Sequence, residues 1–472
     1  MCFLGIFVLG IRNATDPDLW WHLRTGQLIL QNHHLLLSDP FSFTRLGQPW
    51  IDHEWLSQIL IYGLYKLTGW AGLIATFSIL ITVAYLLVFI RCPGKPYIDG
   101  LMTVWAAIAS VPSWGVRPQI FTLVLASLLL LILERSYDRA RLLWWIPLLT
   151  LLWVNLHAGY AVGIAFLLLF LVGDTLDLAL IQRLPASTAR LKSLATVTLL
   201  SLAVIPLNPY GTALYRYPFE TLHSPSMMAY IGEWQSPNFH EGRYIAMLLM
   251  LLALLTIPAI SPKQLSVRQI LLVVATTFAA LRSVRHIPIF VLVAAPVLCS
   301  LLDEKFRALY GRLFNNPTPL TRTKLVLNTS LLAGFVVFSV FWIRHVIGQQ
   351  HEAVANDFPA AATAFIRAAK PPAPLLNHYN WGGYFIWELY PEYKVFIDGR
   401  ADVYGDDFLN GFASAYYVRG KSWDSQLEDW KIRTVVLPSD APLVAVLTRS
   451  PGWKTAFSDK QATILTRIPE PR

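Results

Sequence analysis

Repeated apolar stretches, long enough to cross a lipid bilayer, are the feature that most limits how this chain can fold. A helix needs about 20 predominantly apolar residues to span the hydrocarbon core. Such segments lie near 69–90, 98–112, 119–133, 142–156, 158–177, 193–206, 244–260, 268–281, 287–302 and 325–347. Only 14% of the residues are charged, whereas soluble chains carry about a quarter. Counting the start of the chain, the pattern predicts a mostly α-helical, polytopic transmembrane bundle of about eleven spans.

The remaining sequence predicts loops and one soluble domain. Met1 to Ile11 is apolar but about half a span long, so we expect the outer end of a first helix whose beginning precedes Met1. Residues 13–68 predict a long first outer loop, and 208–242 predict a second large one. The apolar stretches end at 347. We therefore predict a transmembrane domain over 1–347 and a soluble extracytoplasmic α/β domain over 348–472.

The distribution of Lys and Arg predicts the orientation in the membrane. These residues collect in cytoplasmic connections. If the first loop lies outside the cell membrane, the inner connections carry most of the Lys and Arg residues. The short outer connections hold only Arg117, Arg216, Arg243, Arg282 and Arg285. The net charge of +9 therefore indicates membrane orientation rather than nucleic-acid binding, and the C-terminal domain is expected outside.

The first outer loop begins with acidic residues. Residues 16–31 predict an amphipathic helix, with Asp16 as its cap and Asp18 near its positive end. A second interfacial helix is predicted at 53–67, with Asp52 as its cap. Capping alone would explain these acids. Alternatively, a carboxylate at the outer interface could deprotonate a hydroxyl acceptor, or hold a divalent cation together with a neighbour.

Basic residues lie at predicted outer ends of the spans. Arg117 lies between two apolar segments, and Arg282, Arg285 and His286 follow the segment 268–281. Arg suits phosphate because its rigid fork binds two oxygens. Side chains of this type also snorkel at helix ends, so both interpretations stay open.

Three further residues are candidates on the outer side. His157 lies in a very short connection, where it is either functional or a neutral ring bonded to a carbonyl group. Glu233 and Trp234, in the second large outer loop, could line an acceptor or sugar pocket. Interfacial Trp is also a common membrane anchor.

The C-terminal region predicts alternating helices and strands. Helices are expected at 357–369 and 384–389, and strands at 374–378, 394–400, 435–437 and 462–465. Polar groups at strand ends often contact a ligand, which makes Asp398 and Arg400 candidates. Alternatively, they form an ion pair that fixes a turn. The cysteines Cys2, Cys92 and Cys299 are spaced neither as a disulfide framework nor as a zinc site.

The order of these features resembles the GT-C glycosyltransferases. That superfamily includes protein O-mannosyltransferases, the lipid A aminoarabinose transferase and oligosaccharyltransferase catalytic subunits. Its members have acidic residues directly after the first helix, interfacial helices in a long first loop, and many spans. The runs DPDLWWHLRTGQ…SDPFSFT…GQPWIDHEWL and NHYNWGGYFIWELYPEYKVFIDGRADVYG more closely resemble a group of bacterial membrane proteins that is associated with this superfamily and has no known substrate.

The resemblance implies transfer of a sugar from a polyprenyl-phosphate donor to a glycan, lipid or protein acceptor at the outer face of the bacterial plasma membrane. The family's catalytic carboxylate corresponds here to Asp16 or Asp18, acting as the general base. Family members differ in their need for a metal, and Asp-Pro-Asp departs from the Asp-Glu pair of the O-mannosyltransferases. Whether Asp16 and Asp18 hold Mg²⁺ or Mn²⁺ is therefore open. The expected donor-phosphate contacts are Arg117, His157, Arg282, Arg285 and His286, and the expected acceptor contacts are Glu233, Trp234, Asp398 and Arg400.

Two other functions are compatible with the sequence. One is a transporter or flippase for a lipid-linked saccharide, whose polar residues should lie within spans near the midplane. Here the polar residues gather at the outer face, which disfavours it. The other is a non-catalytic membrane scaffold built on a GT-C core.

Overall fold

A computed structural model describes residues 1–94, 96–181, 188–314, 321–421 and 423–469. The chain forms two compact units. The first, here called the bundle unit, comprises Met1–Arg12, Ile74–Pro218 and Ile231–Ile347. The second, here called the composite unit, comprises Asn13–Leu73, Phe219–Tyr230 and Gly348–Arg472. The predicted transmembrane domain of 1–347 and soluble domain of 348–472 stay a prediction, because compactness and membrane embedding are different properties.

The regular secondary structure of the bundle unit, over its described residues, is all helical. Its α-helices are Cys2–Gly10, the second part of Trp55–Arg91, Pro96–Ser110, Gln119–Arg135, Ile146–Leu156, Tyr160–Ile181, Thr188–Ala203, Ile245–Ile260, Val267–Arg282, Ile287–Phe314 and Arg322–Gly348. Short 3₁₀ turns join them at Val111–Ser113, Ala140–Trp145, Ile205–Leu207, Gly211–Tyr215, Gly232–Trp234, Gly242–Tyr244 and Val284–His286. Every apolar segment predicted from 69 to 347 coincides over most of its length with one of these helices.

Six helices in the described part of the chain are long and apolar enough to cross a membrane. They are Trp55–Arg91, Tyr160–Ala179, Thr188–Leu207, Gly242–Ile260, Val284–Asp303 and Arg322–Gly348. Their burial differs: 72% of the apolar window of Val284–Asp303 is buried inside the protein, against 6% for Arg322–Gly348. The first is therefore the central helix of the bundle, and the second presents its apolar surface outward. The predicted polytopic α-helical class is confirmed.

The helical segment Trp55–Arg91 consists of two helices. Trp55–Arg91 is interrupted at Gly69, whose φ is 63° and whose ψ is −162°. Glycine adopts this conformation without the steric cost that a Cβ atom would add. The second interfacial helix therefore begins at Trp55, two residues later than predicted, and ends at the break at Gly69, close to the predicted end at 67.

The composite unit contains short helices and one small sheet. The helices are Leu19–Asn32, the first part of Trp55–Arg91, Tyr217–His223 at the unit boundary, Pro225–Tyr230, Gln350–Asp357, Ala360–Ala369, Gly382–Leu389, Ala401–Tyr404, Asp406–Tyr416, Ser425–Asp429 and Pro442–Leu447, with a 3₁₀ turn at Tyr379–Trp381. The strands are β1 (Leu375–Asn377), β2 (Thr434–Pro438), β3 (Trp453–Ser458) and β4 (Ala462–Arg467). Their order is β1-β2-β4-β3. β1 is parallel to β2, and the other two pairs are antiparallel.

The predicted strand at 394–400 is wrong. Val395 forms one isolated bridge with Ser42. The next backbone groups bond to the side chain of Asn377: the Phe396 amide donates to its Oδ1 at 2.8 Å, and its Nδ2 donates to the Ile397 carbonyl at 2.7 Å. A buried side-chain amide thus replaces the strand ladder. The apolar run is buried like a strand, which explains the sequence pattern, whereas β3 is partly exposed and was missed.

Candidate active site

The candidate base residues lie in a turn that precedes a helix of the composite unit. The helix begins at Leu19, three residues later than predicted, with Asp18 in the N-cap position. Asp16 Oδ1 accepts a hydrogen bond from the Asp18 amide at 2.9 Å. Asp18 Oδ1 accepts one from the Trp21 indole at 3.1 Å. Both carboxylates are half-buried and lie at the N-terminal, positive end of the helix.

Two glycines of the C-terminal region pack directly against this turn. A Cβ atom on Gly399 would overlap the Asp18 carboxylate, and one on Gly383 would overlap the Pro17 carbonyl. The Tyr379 hydroxyl donates to the Gly399 carbonyl at 3.1 Å, which fixes the glycine backbone. Only glycine allows so close an approach. The two sequence runs that carry the resemblance therefore contact each other, and the Asp-Gly-Arg segment forms a wall beside Asp18.

Beside this turn lies a group of titratable side chains. Glu54 lies between two histidines, with Oε2 at 3.6 Å from His22 Nε2 and Oε1 at 3.4 Å from His53 Nε2. The His22 amide donates to the Asp18 carbonyl at 3.2 Å, which places the group one helical turn from the candidate base. None of these three residues is among the candidates predicted from the sequence. For His22 the sequence does carry a signal, because it lies four residues after Asp18, which puts both on one helix face.

Burial changes the protonation of this group. It is the main cause that raises the pKa of Asp52 from an ordinary 3.8 to about 7; the charge of Glu54 adds to it, and that of His53 opposes it. Burial alone would lower the pKa of His53, but the charge and hydrogen bond of Glu54 outweigh it and raise this pKa. Asp52 Oδ1 accepts from the Gln58 side chain, instead of serving as the predicted helix cap.

Asp398 and Arg400 form a buried ion cluster. The Arg400 guanidinium donates to both oxygens of Asp398 at 2.8 and 2.7 Å, and to Asp39 Oδ1 at 2.8 Å. The Tyr404 hydroxyl donates to Asp398 Oδ2 at 2.6 Å. The Arg400 side chain is 1% exposed and lies 4.6 Å from the centre of the Trp50 ring. This geometry favours the turn-fixing alternative, and the acceptor-binding role of Asp398 and Arg400 stays a prediction.

In the bundle unit, the structure brings together several of the predicted donor and acceptor residues. Arg117 forms an ion pair with Glu233, and Arg285 Nη1 lies 4.0 Å from Glu233 Oε2. The Arg285 guanidinium also lies 5.1 Å from the centre of the Trp234 ring. Burial alone would raise the pKa of Glu233, but the charges of Arg117 and then Arg285 lower it. Two cations share one carboxylate, so the cluster carries excess positive charge.

His157 extends this cluster. The Gly159 amide donates to His157 Nδ1 at 2.9 Å, and the Thr122 hydroxyl lies 2.8 Å from the same nitrogen. Because a backbone amide can only donate, Nδ1 is an acceptor, and a neutral ring carries its proton on Nε2. His157 Nε2 lies 3.5 Å from Arg285 Nη2. Donor groups of His157 and Arg285 therefore lie side by side.

The remaining two predicted donor-phosphate residues differ in their surroundings. The rings of His286 and Trp234 are edge to face, with centroids 6.0 Å apart, so His286 belongs to the cluster. Arg282 is the last residue of its helix, and its side chain is exposed.

Asp16 and Asp18 belong to the composite unit, and the arginine cluster belongs to the bundle unit.

The chain is a multi-pass membrane protein by its apolar helices, and its fold is that of the GT-C glycosyltransferases. No family model and no curated protein matches it. Among solved structures, it is similar to the archaeal oligosaccharyltransferase AglB from Archaeoglobus fulgidus, in complex with an inhibitory peptide and a dolichol-phosphate. The TM-score is 0.61 at 12% identity, over 99% of this chain and 74% of that one.

Two further structures support the same fold. The apo ArnT from Cupriavidus metallidurans has a TM-score of 0.51 at 14% identity, over 98% of this chain and 96% of that one. The arabinofuranosyltransferase AftD from Mycobacteria has a TM-score of 0.50 at 11% identity, over 99% of this chain and 40% of that one. At these identities the similarity concerns the fold.

Proposed function

We propose that this chain is a membrane glycosyltransferase that transfers a sugar from a polyprenyl-phosphate donor to an acceptor on the extracytoplasmic side of the bacterial plasma membrane. The fold, shared with an oligosaccharyltransferase and an arabinofuranosyltransferase, supports this class. The observation that carries the proposal is the fixed pair Asp16 and Asp18, held by the turn, Trp21 and Gly399. A general base needs such positioning.

The proposed reaction is a single displacement at the sugar carbon. An acceptor hydroxyl attacks C1 while Asp16 or Asp18 takes its proton. The bond from C1 to the phosphate oxygen breaks, and the polyprenyl phosphate leaves with the electron pair. Attack from the opposite side inverts the configuration at C1. The oxygen donors of Asp16 and Asp18 suit Mg²⁺ or Mn²⁺, which would supply positive charge when bound.

We propose separately that the arginine cluster of the bundle unit binds the phosphate of the lipid-linked donor. Arg117, Arg285 and the Nε2–H of His157 are donors that suit phosphate oxygens. Glu233 holds the two guanidinium groups together, so it is proposed as a positioning residue as well as an acceptor contact. Trp234 stays proposed as an acceptor contact. AglB has been solved with a dolichol-phosphate, which supports a lipid phosphate as the partner of this fold.

The test compares the double variant Asp16→Asn, Asp18→Asn with the wild-type chain in lipid nanodiscs. Both receive a panel of polyprenyl-phosphate sugars and an envelope extract as acceptor, and released polyprenyl phosphate is measured by mass spectrometry. Asp407→Asn, an exposed acid of the composite unit, is the matched control. We expect the double variant to lose activity by about a hundredfold or more, and the control to keep it.

Unchanged sugar transfer in the folded double variant would refute the catalytic assignment. A second measurement separates the transporter alternative. A fluorescent lipid-linked sugar in liposomes would be moved by a flippase without release of polyprenyl phosphate. Translocation without release would contradict the proposed transferase.

A further inference from the structure

We propose that Cys92, Asp99 and Cys299 form a binding site for a thiophilic divalent cation, with Zn²⁺ as the best-fitting ion. Cys92 follows the helix Trp55–Arg91, Asp99 lies in the first turn of Pro96–Ser110, and Cys299 lies within Ile287–Phe314. The two sulfur atoms and one carboxylate oxygen all lie within 4.8 Å of one another. The site lies within the bundle unit and is independent of the proposed transferase chemistry.

The donor set selects the kind of ion. Two sulfur ligands and one carboxylate oxygen suit borderline-soft Zn²⁺, whereas Mg²⁺ and Ca²⁺ prefer oxygen alone. Cys92, Asp99 and Cys299 are 9%, 1% and 0% exposed. Burial suits a metal site, because a charged carboxylate inside a protein is stabilised by an ion pair or by a bound metal. Three protein ligands leave one position of a tetrahedral ion for water.

The three ligands are held in place by contacts that need no metal. Asp99 Oδ2 accepts a hydrogen bond from the Gly94 amide at 2.8 Å, which orients the carboxylate. Arg91, next to Cys92, donates to the Leu292 carbonyl at 2.7 Å. Leu292 lies on the same helix as Cys299, so this bond ties two ligand-bearing elements together. The site is therefore preorganised, which lowers the cost of binding.

The alternative is a hydrogen-bonded thiol cluster without an ion. Two thiols and a carboxylate this close together could share hydrogen bonds without any ion. Binding of Zn²⁺ would replace these bonds and release two thiol protons to solvent. The ion would then link three helical segments at their predicted cytoplasmic ends.

The experiment measures zinc in the full chain purified in detergent. After incubation with Zn²⁺ alone and removal of loosely bound metal, mass spectrometry of the eluted metal should give about one ion per chain. Cys92→Ser and Cys299→Ser should each lower the bound zinc at least about tenfold. Cys2→Ser is the matched control, because Cys2 lies outside the cluster, and it should keep the wild-type content.

A second measurement uses the wild-type chain and does not depend on how the variants fold. With zinc bound, Cys92 and Cys299 should react with a thiol-alkylating reagent more slowly than after chelation, while the rate for Cys2 stays the same. Equal alkylation rates in both conditions would overturn the proposal. So would a zinc content that is equally low in the wild type and the variants, or a disulfide between Cys92 and Cys299 in protein purified under reducing conditions.

Discussion

The buried ion cluster around Arg400 leads to a quantitative prediction about the composite unit. In Arg400→Met, a side chain of similar length keeps the packing against Trp50 and removes the charge. Asp39 and Asp398, both fully buried, would then lack their counter-charge. Removing one partner of a buried ion pair costs about 3–5 kcal/mol, and here one cation serves two carboxylates. We therefore expect the local stability to fall by at least about 3 kcal/mol.

Amide hydrogen exchange of the full chain in nanodiscs measures this loss of local stability at the residues around Arg400. The amides of Phe43 and Val395 bond across the two chain segments at 3.1 Å each, so they report on local opening. A loss of about 3 kcal/mol corresponds to about a hundredfold faster exchange, since about 1.4 kcal/mol is tenfold. The pKa of Asp39 gives a second readout: burial alone would raise it, but Arg400 lowers it, and Arg400→Met should reverse that shift.

Arg467→Met is the matched control. Its ion pair with Glu428 is 33% and 62% exposed at the two side chains, and exposed pairs contribute about 0–1 kcal/mol. Adding Asp39→Asn and Asp398→Asn to Arg400→Met should slow amide exchange again and recover most of the lost stability. No buried charge then remains unpaired. The reasoning is refuted if Arg400→Met speeds exchange no more than Arg467→Met does.

Three further predictions concern the candidate site. In Gly399→Ala, the new methyl group should displace the Asp18 carboxylate and lower sugar transfer at least about tenfold, whereas Gly452→Ala, with open space around it, should leave transfer unchanged. Because burial raises the pKa of Asp52 from 3.8 to about 7, the unfolded chain releases this proton first. Stability should then fall as pH rises through that interval, and Asp52→Asn should flatten the fall in a thermal-unfolding series across pH. Arg117→Gln should raise the KM for the polyprenyl-phosphate donor about ten- to a hundredfold, since a charged hydrogen bond contributes about 1.5–3 kcal/mol; an unchanged KM would exclude Arg117 from phosphate binding.

Helices and strands differed in how well the sequence predicted them. The apolar segments predicted the helices of the bundle unit because a membrane span needs a long, continuous apolar run. The short elements of the composite unit were harder to predict from the sequence. The run at 394–400 is apolar and buried, but its hydrogen bonds go to Asn377 and to the first loop. No pattern within the run itself reveals that distant partner.

Grouping at the candidate site was partly predictable. The sequence predicts Arg117 and Arg285 as donor-phosphate contacts and Glu233 as an acceptor contact, and the structure places these three residues in one cluster. Their ion pairs join positions far apart in the sequence, so spacing could not predict them. For the same reason the sequence did not predict that Cys92 and Cys299 lie close together. Metal-site patterns in sequences rely on closely spaced ligands.

The composite unit also explains why two separate sequence runs carry the resemblance. The first run supplies Asp18, and the second supplies Gly399, whose missing side chain makes room for that carboxylate. Arg400, the next residue, is fixed by Asp39 of the first run. A change in either run would therefore alter the same turn. It follows that the C-terminal region positions the candidate base, and that its removal should abolish sugar transfer even if it never contacts the acceptor.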